Sequence, residues 1–147
     1  MDAASLARRW WLHDLDAWDE VEEILDAAEA VPALIRSLAT TAPPGALSYI
    51  GVAVLESIAM QADFDGRPDT AIDDLLAADL DAPTVFEILA GPYPDFLERW
   101  QVRRRFADRF TAVQLEVLYD WHGRVNRRVV LDGEGTRLLE QSEWFSG

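Results

Sequence analysis

Between Ala46 and Ala62 the chain runs ALSYIGVAVLESIAMQA, seventeen residues with one charged side chain, Glu56. The apolar positions fall on nearly every face of a helix, as in a segment that neighbours cover on all sides, so this stretch is predicted to be a central helix. Before it, Leu6, Trp10 and Trp11 give a short amphipathic helix over Ser5 to His13. Asp14 or Asp16 is placed to cap a second helix, over Asp16 to Ala30. Its stripe is Trp18, Val21, Leu25 and Ala28 with Ile24 beside it, and its opposite face is Asp19, Glu20, Glu22, Glu23 and Asp26. Pro32 opens a third helix through Leu34, Ile35 and Leu38, and the breaker run Thr41 to Gly45 separates that helix from the central one.

Beyond the centre, Asp63 to Pro68 reads as a turn. A fifth helix follows with Ile72, Leu75, Leu76 and Leu80 inward. Asp81-Ala82-Pro83 starts a sixth, short helix that Gly91-Pro92 ends. Pro94 to Arg109 is predicted as one helix burying Phe96, Trp100 and Phe106 and presenting Arg103, Arg104 and Arg105 as a basic ridge. From Val113 to Trp121 apolar and polar residues alternate with one exception, a strand period, although Leu115, Leu118, His122 and Val125 would also line one face of a helix. Val129 to Leu131, Asp132 to Gly135, then Thr136 to Leu139 reads as a hairpin that would complete a small antiparallel meander. The tail Glu143 to Gly147 is expected to dock its aromatics on the body. The expectation is a mainly α fold, an irregular bundle of about seven helices around the central one, with a small C-terminal β hairpin or meander; all-α is the alternative. At 147 residues one domain suffices, with a helical body over 1–110 and the β element over 111–147.

The central helix carries four residues expected to set packing and register: Tyr49, Gly51, Leu55 and Glu56. Glycine inside a helix costs about 1 kcal/mol against alanine, so Gly51 implies a close neighbour. A carboxylate among Val52, Leu55, Ala59 and Met60 must be paired with an arginine, hydrogen-bonded or protonated, which reads first as a structural lock and second as a raised-pKa group in a pocket. These four residues, followed by an acid-rich helix and a Phe/Ile/Leu helix ending near Gly91, resemble a family of small uncharacterised bacterial helical domains over about residues 15–100. Where that family has a second glycine and a proline, this chain has Ala53 and Val54. The resemblance implies a helical fold and no activity.

Charge changes the picture most. The net charge is −14, and all 13 basic residues are arginines. Residues 1–98 hold 20 acids against 4 arginines, whereas 99–128 hold 8 arginines against 3 acids, so the ridge is expected to pair with the acidic helices rather than with nucleic acid. Such acidity reads either as compositional bias or as a surface made for a basic partner, and disfavours anionic membranes and phosphate backbones. With no cysteine, thiol catalysis and disulfides are excluded. The N-terminus has no long apolar core, so a soluble cytoplasmic protein is expected.

No cofactor or metal is expected, since Asp63 to Pro68 lacks the calcium-loop spacing and no G-x-S-x-G, Walker A or H-E-x-x-H run occurs. Asp120 and His122 have the spacing of one strand face, which reads as a surface contact before a dyad. The chain is read as a non-enzyme. The leading expectation is an immunity or antitoxin-type inhibitor that covers a basic protein with Asp19, Glu22, Glu23 and Asp26, joined by Asp69, Asp73 and Asp74. The alternative is a structural or regulatory helical module that self-associates or joins a larger complex.

Overall fold

The path of the chain is taken from a computed structural model, which describes residues 3–26, 28–124, 127–133 and 135–139. It is mainly helical and ends in a two-stranded antiparallel hairpin. Helix α1 (Ala3–Trp11) turns into α2 (Leu15–Leu25) at Asp14, whose carboxylate accepts the Asp16 and Ala17 N–H groups at 3.0 and 3.3 Å. Asp14, rather than Asp16, is therefore the cap. Helix α2 stops at Leu25, short of the expected Ala30, and a 3-10 turn (Ala28–Ala30) leads into α3 (Val31–Thr41), which packs across α1. The tryptophans tie these helices: the Trp11 indole donates to the Leu38 carbonyl at 3.0 Å and the Trp18 indole to the Trp10 carbonyl at 2.9 Å.

The central helix, α4, spans 47–65 in three pieces: Leu47–Ile50, a π turn Gly51–Leu55, and Glu56–Asp65. In the π turn the Glu56 N–H donates to the Gly51 carbonyl, five residues back. One residue too many for an α turn sets everything after it back by about 100° around the axis. Ile50, Val54, Leu55, Ile58, Ala59 and Ala62 thereby share the buried face. The helix is not covered on all sides, as its composition suggested: Tyr49, Val52, Met60 and Phe64 reach solvent. It also runs through Asp63 and Asp65 before Gly66, in the left-handed region at φ 66°, ends it; the expected turn is shorter than its sequence.

Helix α5 (Ala71–Ala77) is followed by α6 (Ala82–Leu89), capped by Asp81, which accepts the Thr84 N–H at 2.9 Å. Helices α4 and α6 cross at two glycines. A Cβ on Gly51 would lie 2.2 Å from the Ile88 carbonyl oxygen, and one on Gly91 only 1.9 Å from that of Ser48. Backbone meets backbone here, which only glycine permits.

The expected helix over Pro94 to Arg109 is two, α7 (Pro94–Arg99) and α8 (Val102–Arg105), because Gln101 takes a left-handed conformation at φ 55° and bends the chain between them. The expected strand over Val113 to Trp121 is helical too: α9 (Ala112–Tyr119) and α10 (Trp121–Arg124). Thr111 and Gln114 form a reciprocal capping box at its start, and Leu115 and Leu118 are buried one turn apart while Val113 faces solvent. Among the described residues sheet is confined to β1 (Arg128–Asp132) and β2 (Gly135–Leu139), in register Val129 to Leu138, with β1 against α6 and β2 against α9. The aromatic tail from Glu143 lies outside the described residues.

Candidate functional site

Glu56 is buried against the α4–α6 crossing. The Tyr93 backbone N–H donates to its carboxylate, while Oε2 has no hydrogen-bond partner. Burial pushes its pKa up, opposed by that N–H and by the nearby Arg124 charge. Arg124, buried on α10, spends its donors on backbone: Nε on the Leu118 carbonyl at 2.7 Å, Nη2 on that of Pro92 at 2.5 Å, and Nη1 on that of Ala90. Desolvation pushes its pKa down to about 10, which leaves it charged at neutral pH. The arginine thus stitches the ends of α6 and α9 together, and Glu56 supplies countercharge from a distance.

The Asp120/His122 pair is not a dyad in shape. Asp120 Oδ1 accepts the Gly123 N–H at 3.0 Å and so caps α10, while His122 lies exposed in that turn. A shared strand face does not exist at these positions.

The basic ridge meets the acidic body. Arg99 holds Asp63 with two bonds of 2.6 and 2.8 Å, Asp69 at 3.0 Å and the Ala59 carbonyl at 3.2 Å. The Trp100 indole donates to the same Asp69 oxygen at 2.8 Å. Arg105 pairs with Asp73. Arg103 takes Glu116 at 2.6 Å and also Glu98, its guanidinium 3.5 Å from the centre of the Tyr119 ring. Arg128 grips Glu87 with two bonds of 3.0 and 3.1 Å, fastening β1 to α6. Arg104 stays exposed beside a groove of about 550 Å³ whose other charged walls, Asp69, Asp73, Arg99 and Arg105, are paired with one another.

This pairing divides the seven acids singled out in the sequence. Asp69 and Asp73 are engaged as above. Asp74 accepts the Thr70 hydroxyl at 2.9 Å and is partly buried; burial raises its pKa, with the neighbouring Asp73 and Asp69 adding to the effect against that hydrogen bond. Asp26 lies 3.6 Å from Arg67. Asp19, Glu22 and Glu23 project to solvent from α2 and form no ion pair among the described residues.

Beside that free face lies a cleft that sequence reasoning did not find. Trp10, Trp18, Val21, Glu22 and Leu25 form one wall, Tyr49, Ala53, Ser57 and Gln61 of α4 the other, enclosing about 220 Å³. The rings run in a row, Trp18 to Trp10 at 5.8 Å between centroids and Trp10 to Tyr49 at 5.5 Å. The signal for it was the four-residue spacing of Tyr49, Ala53, Ser57 and Gln61, which drifts around a regular α-helix and lines up once the π turn intervenes.

Among the described residues no group of three or more His, Asp or Glu side chains is arranged to hold a metal ion. No described helix is long and apolar enough to cross a membrane. No family model, curated protein or solved structure matches the chain.

Proposed function

We propose that the protein is an acidic protein-binding module that covers a basic surface of a cytoplasmic partner, as an immunity protein or antitoxin covers its toxin. The observation that carries this reading is the division of the acids. Those facing the C-terminal arginines are neutralised at home, whereas Asp19, Glu22 and Glu23 stand together on α2 without countercharge among the described residues. Like charges held side by side repel one another in the free protein and gain when a cationic surface approaches. They also accelerate its encounter in a salt-dependent way. The protein does this as a non-enzyme.

The test is capture on immobilised protein from lysate of the source organism, eluted with salt. The expected result is one basic protein in stoichiometric amount, released by salt and not retained by the Asp19→Asn/Glu22→Gln/Glu23→Gln variant. Retention that ignores both salt and these substitutions overturns the reading.

A second reading, self-association, has its own observation: Val52, Met60 and Phe64 put apolar side chains on the solvent side of α4, with Phe64 90% exposed. It requires a salt-insensitive rise in mass with concentration in sedimentation, abolished by Met60→Glu/Phe64→Glu.

A further inference from the structure

The α2–α4 cleft has three properties that together specify an occupant. At about 220 Å³ it is smaller than the roughly 300–1,000 Å³ of sites for free small molecules, so it suits one inserted side chain. Aromatic rings line both walls, Trp18 and Trp10 on one and Tyr49 on the other, with Trp10 stacked on Trp18 and tilted against Tyr49. The rim on α2 is Glu22, with Asp19 one turn before it on the same helix. Other polar groups of the lining are Ser57, whose hydroxyl is already spent on the Ala53 carbonyl at 2.7 Å, and Gln61. Two bases lie nearby, His13, whose ring centroid is 5.6 Å from that of Trp18, and Arg67 at the Gln61 end. The Arg67 guanidinium lies 3.4 Å from Gln61 Oε1 and is answered by Asp26 at 3.6 Å and Asp65 at 3.5 Å. At the Gln61 end the arginine is therefore answered by carboxylates, and Glu22 is the charged group of the lining.

We propose that this cleft receives an arginine side chain of the basic partner, its aliphatic stem along Val21 and Ala53, its guanidinium against the tryptophan–tyrosine row and within reach of Glu22. A flat, weakly hydrated, delocalised cation fits aromatic walls with a carboxylate rim better than an ammonium does. An apolar side chain would fill the space and leave Glu22 without a partner. The proposal rests on the basic-partner reading and adds to it the anchor that a charged rim alone lacks, since binding energy concentrates where a large side chain fills a pocket.

The experiment titrates the isotope-labelled protein with N-acetyl-arginine methylamide and follows the tryptophan indole and backbone amide signals by NMR. The neutral isostere N-acetyl-citrulline methylamide and the leucine analogue serve as comparisons. The expected result is a saturable millimolar response confined to the lining, Trp10, Trp18, Val21, Glu22, Tyr49 and Ala53 foremost. It is at least fivefold weaker with citrulline and with Glu22→Gln, and lost in Ala53→Leu, which plugs the cleft and leaves the acids in place. Equal binding of citrulline, stronger binding of the leucine analogue, or no saturable response in the folded protein overturns the pocket. The two readings fail separately: a salt-released partner that still binds Ala53→Leu at full strength refutes the arginine pocket and keeps the acidic face. Absence of any partner sensitive to Asp19, Glu22 and Glu23 removes the face on which the proposal stands.

Discussion

Gln101 shows how much a single backbone conformation decides. It sits at φ 55° with an exposed side chain between α7 and α8, a conformation that costs a non-glycine residue about 1–2 kcal/mol. Gln101→Gly is therefore expected to stabilise the protein by up to about 1 kcal/mol, reduced by glycine's larger unfolded-state entropy, as read from the urea midpoint. At Gly51 the sign reverses. A methyl group 2.2 Å from the Ile88 carbonyl forces α4 and α6 apart, and Gly51→Ala should cost about 3 kcal/mol in the same assay. Glu56 adds a pH signature. Its folded pKa is raised above the ordinary value of 4.5, so the native state holds the proton more tightly than the unfolded chain. Its contribution is most favourable below the unfolded pKa and is lost as pH rises through the folded one. Carboxylates with lowered pKa values, such as Asp63 beside Arg99, titrate with the opposite sign. The quantity to measure is thus the melting-temperature difference between Glu56→Gln and wild type from about pH 4 to 8, which should shift in favour of the variant as pH rises. A difference independent of pH would place the carboxylate in water. The sequence marked Glu56 and Gly51 because each is anomalous in an apolar helix. It could not mark Arg124, whose partners are carbonyl oxygens of distant residues and carry no side-chain signature.

At the scale of elements, what was legible depended on whether a segment's period was interrupted. Helices α1 to α3, α5 and α6 and the hairpin follow their hydrophobic spacing and their Pro, Asp and Gly punctuation. The two segments misread in continuity or type run from Pro94 onward, whereas α2 ends earlier and α4 ends later than their patterns suggested. Over Val113 to Trp121 the alternation is a coincidence of composition, and the deciding local feature was the Thr111/Gln114 box, two polar residues that commit the chain to a helix before any apolar residue is counted. Gln114 then also holds the hairpin turn, its amide reaching the Gly133 and Gly135 carbonyls at 3.4 Å. The hairpin's other fastening is the Glu87–Arg128 pair, with Glu87 buried and Arg128 partly so. Removing one member of a fully buried pair costs about 3–5 kcal/mol, and partial exposure lowers the expectation for Glu87→Gln to roughly 2 kcal/mol. β1 also packs on α6 and β2 on α9, with Val129 and Leu139 buried, but a two-stranded hairpin is marginal by itself. The loss should therefore appear first as faster amide exchange in β1 and β2, with α1 to α3 still protected. Uniform acceleration across all helices would mean that the hairpin and the body unfold as one unit.

For the whole molecule, the question raised by a net charge of −14 is which acids serve the fold and which are left for a partner. Composition cannot separate them, because the distinction is made by where α7 and α8 carry their arginines. Asp69, in the loop before α5, and Glu23, on α2, are both acids of the acidic half, yet they should respond oppositely to neutralisation. Asp69 accepts from Arg99 Nε and from the Trp100 indole through one oxygen, and its Oδ1 accepts the Ala71 N–H at 3.0 Å, so one carboxylate fixes the start of α5 to α7. Asp69→Asn keeps the size, but its amide can accept through one atom alone. At least one charge-assisted bond is lost, with Asp63 left as the carboxylate partner of Arg99, which should cost about 2 kcal/mol. Glu23 has no such partner among the described residues and sits within reach of Asp19 on the same helix face, four residues away. Glu23→Gln should leave the melting temperature unchanged or raise it at low salt, with the gain vanishing as salt screens the repulsion. Both variants are read by thermal unfolding at low and high salt. If Glu23→Gln proves as destabilising as Asp69→Asn, the α2 acids are structural, and the free acidic face on which the binding role depends is not free.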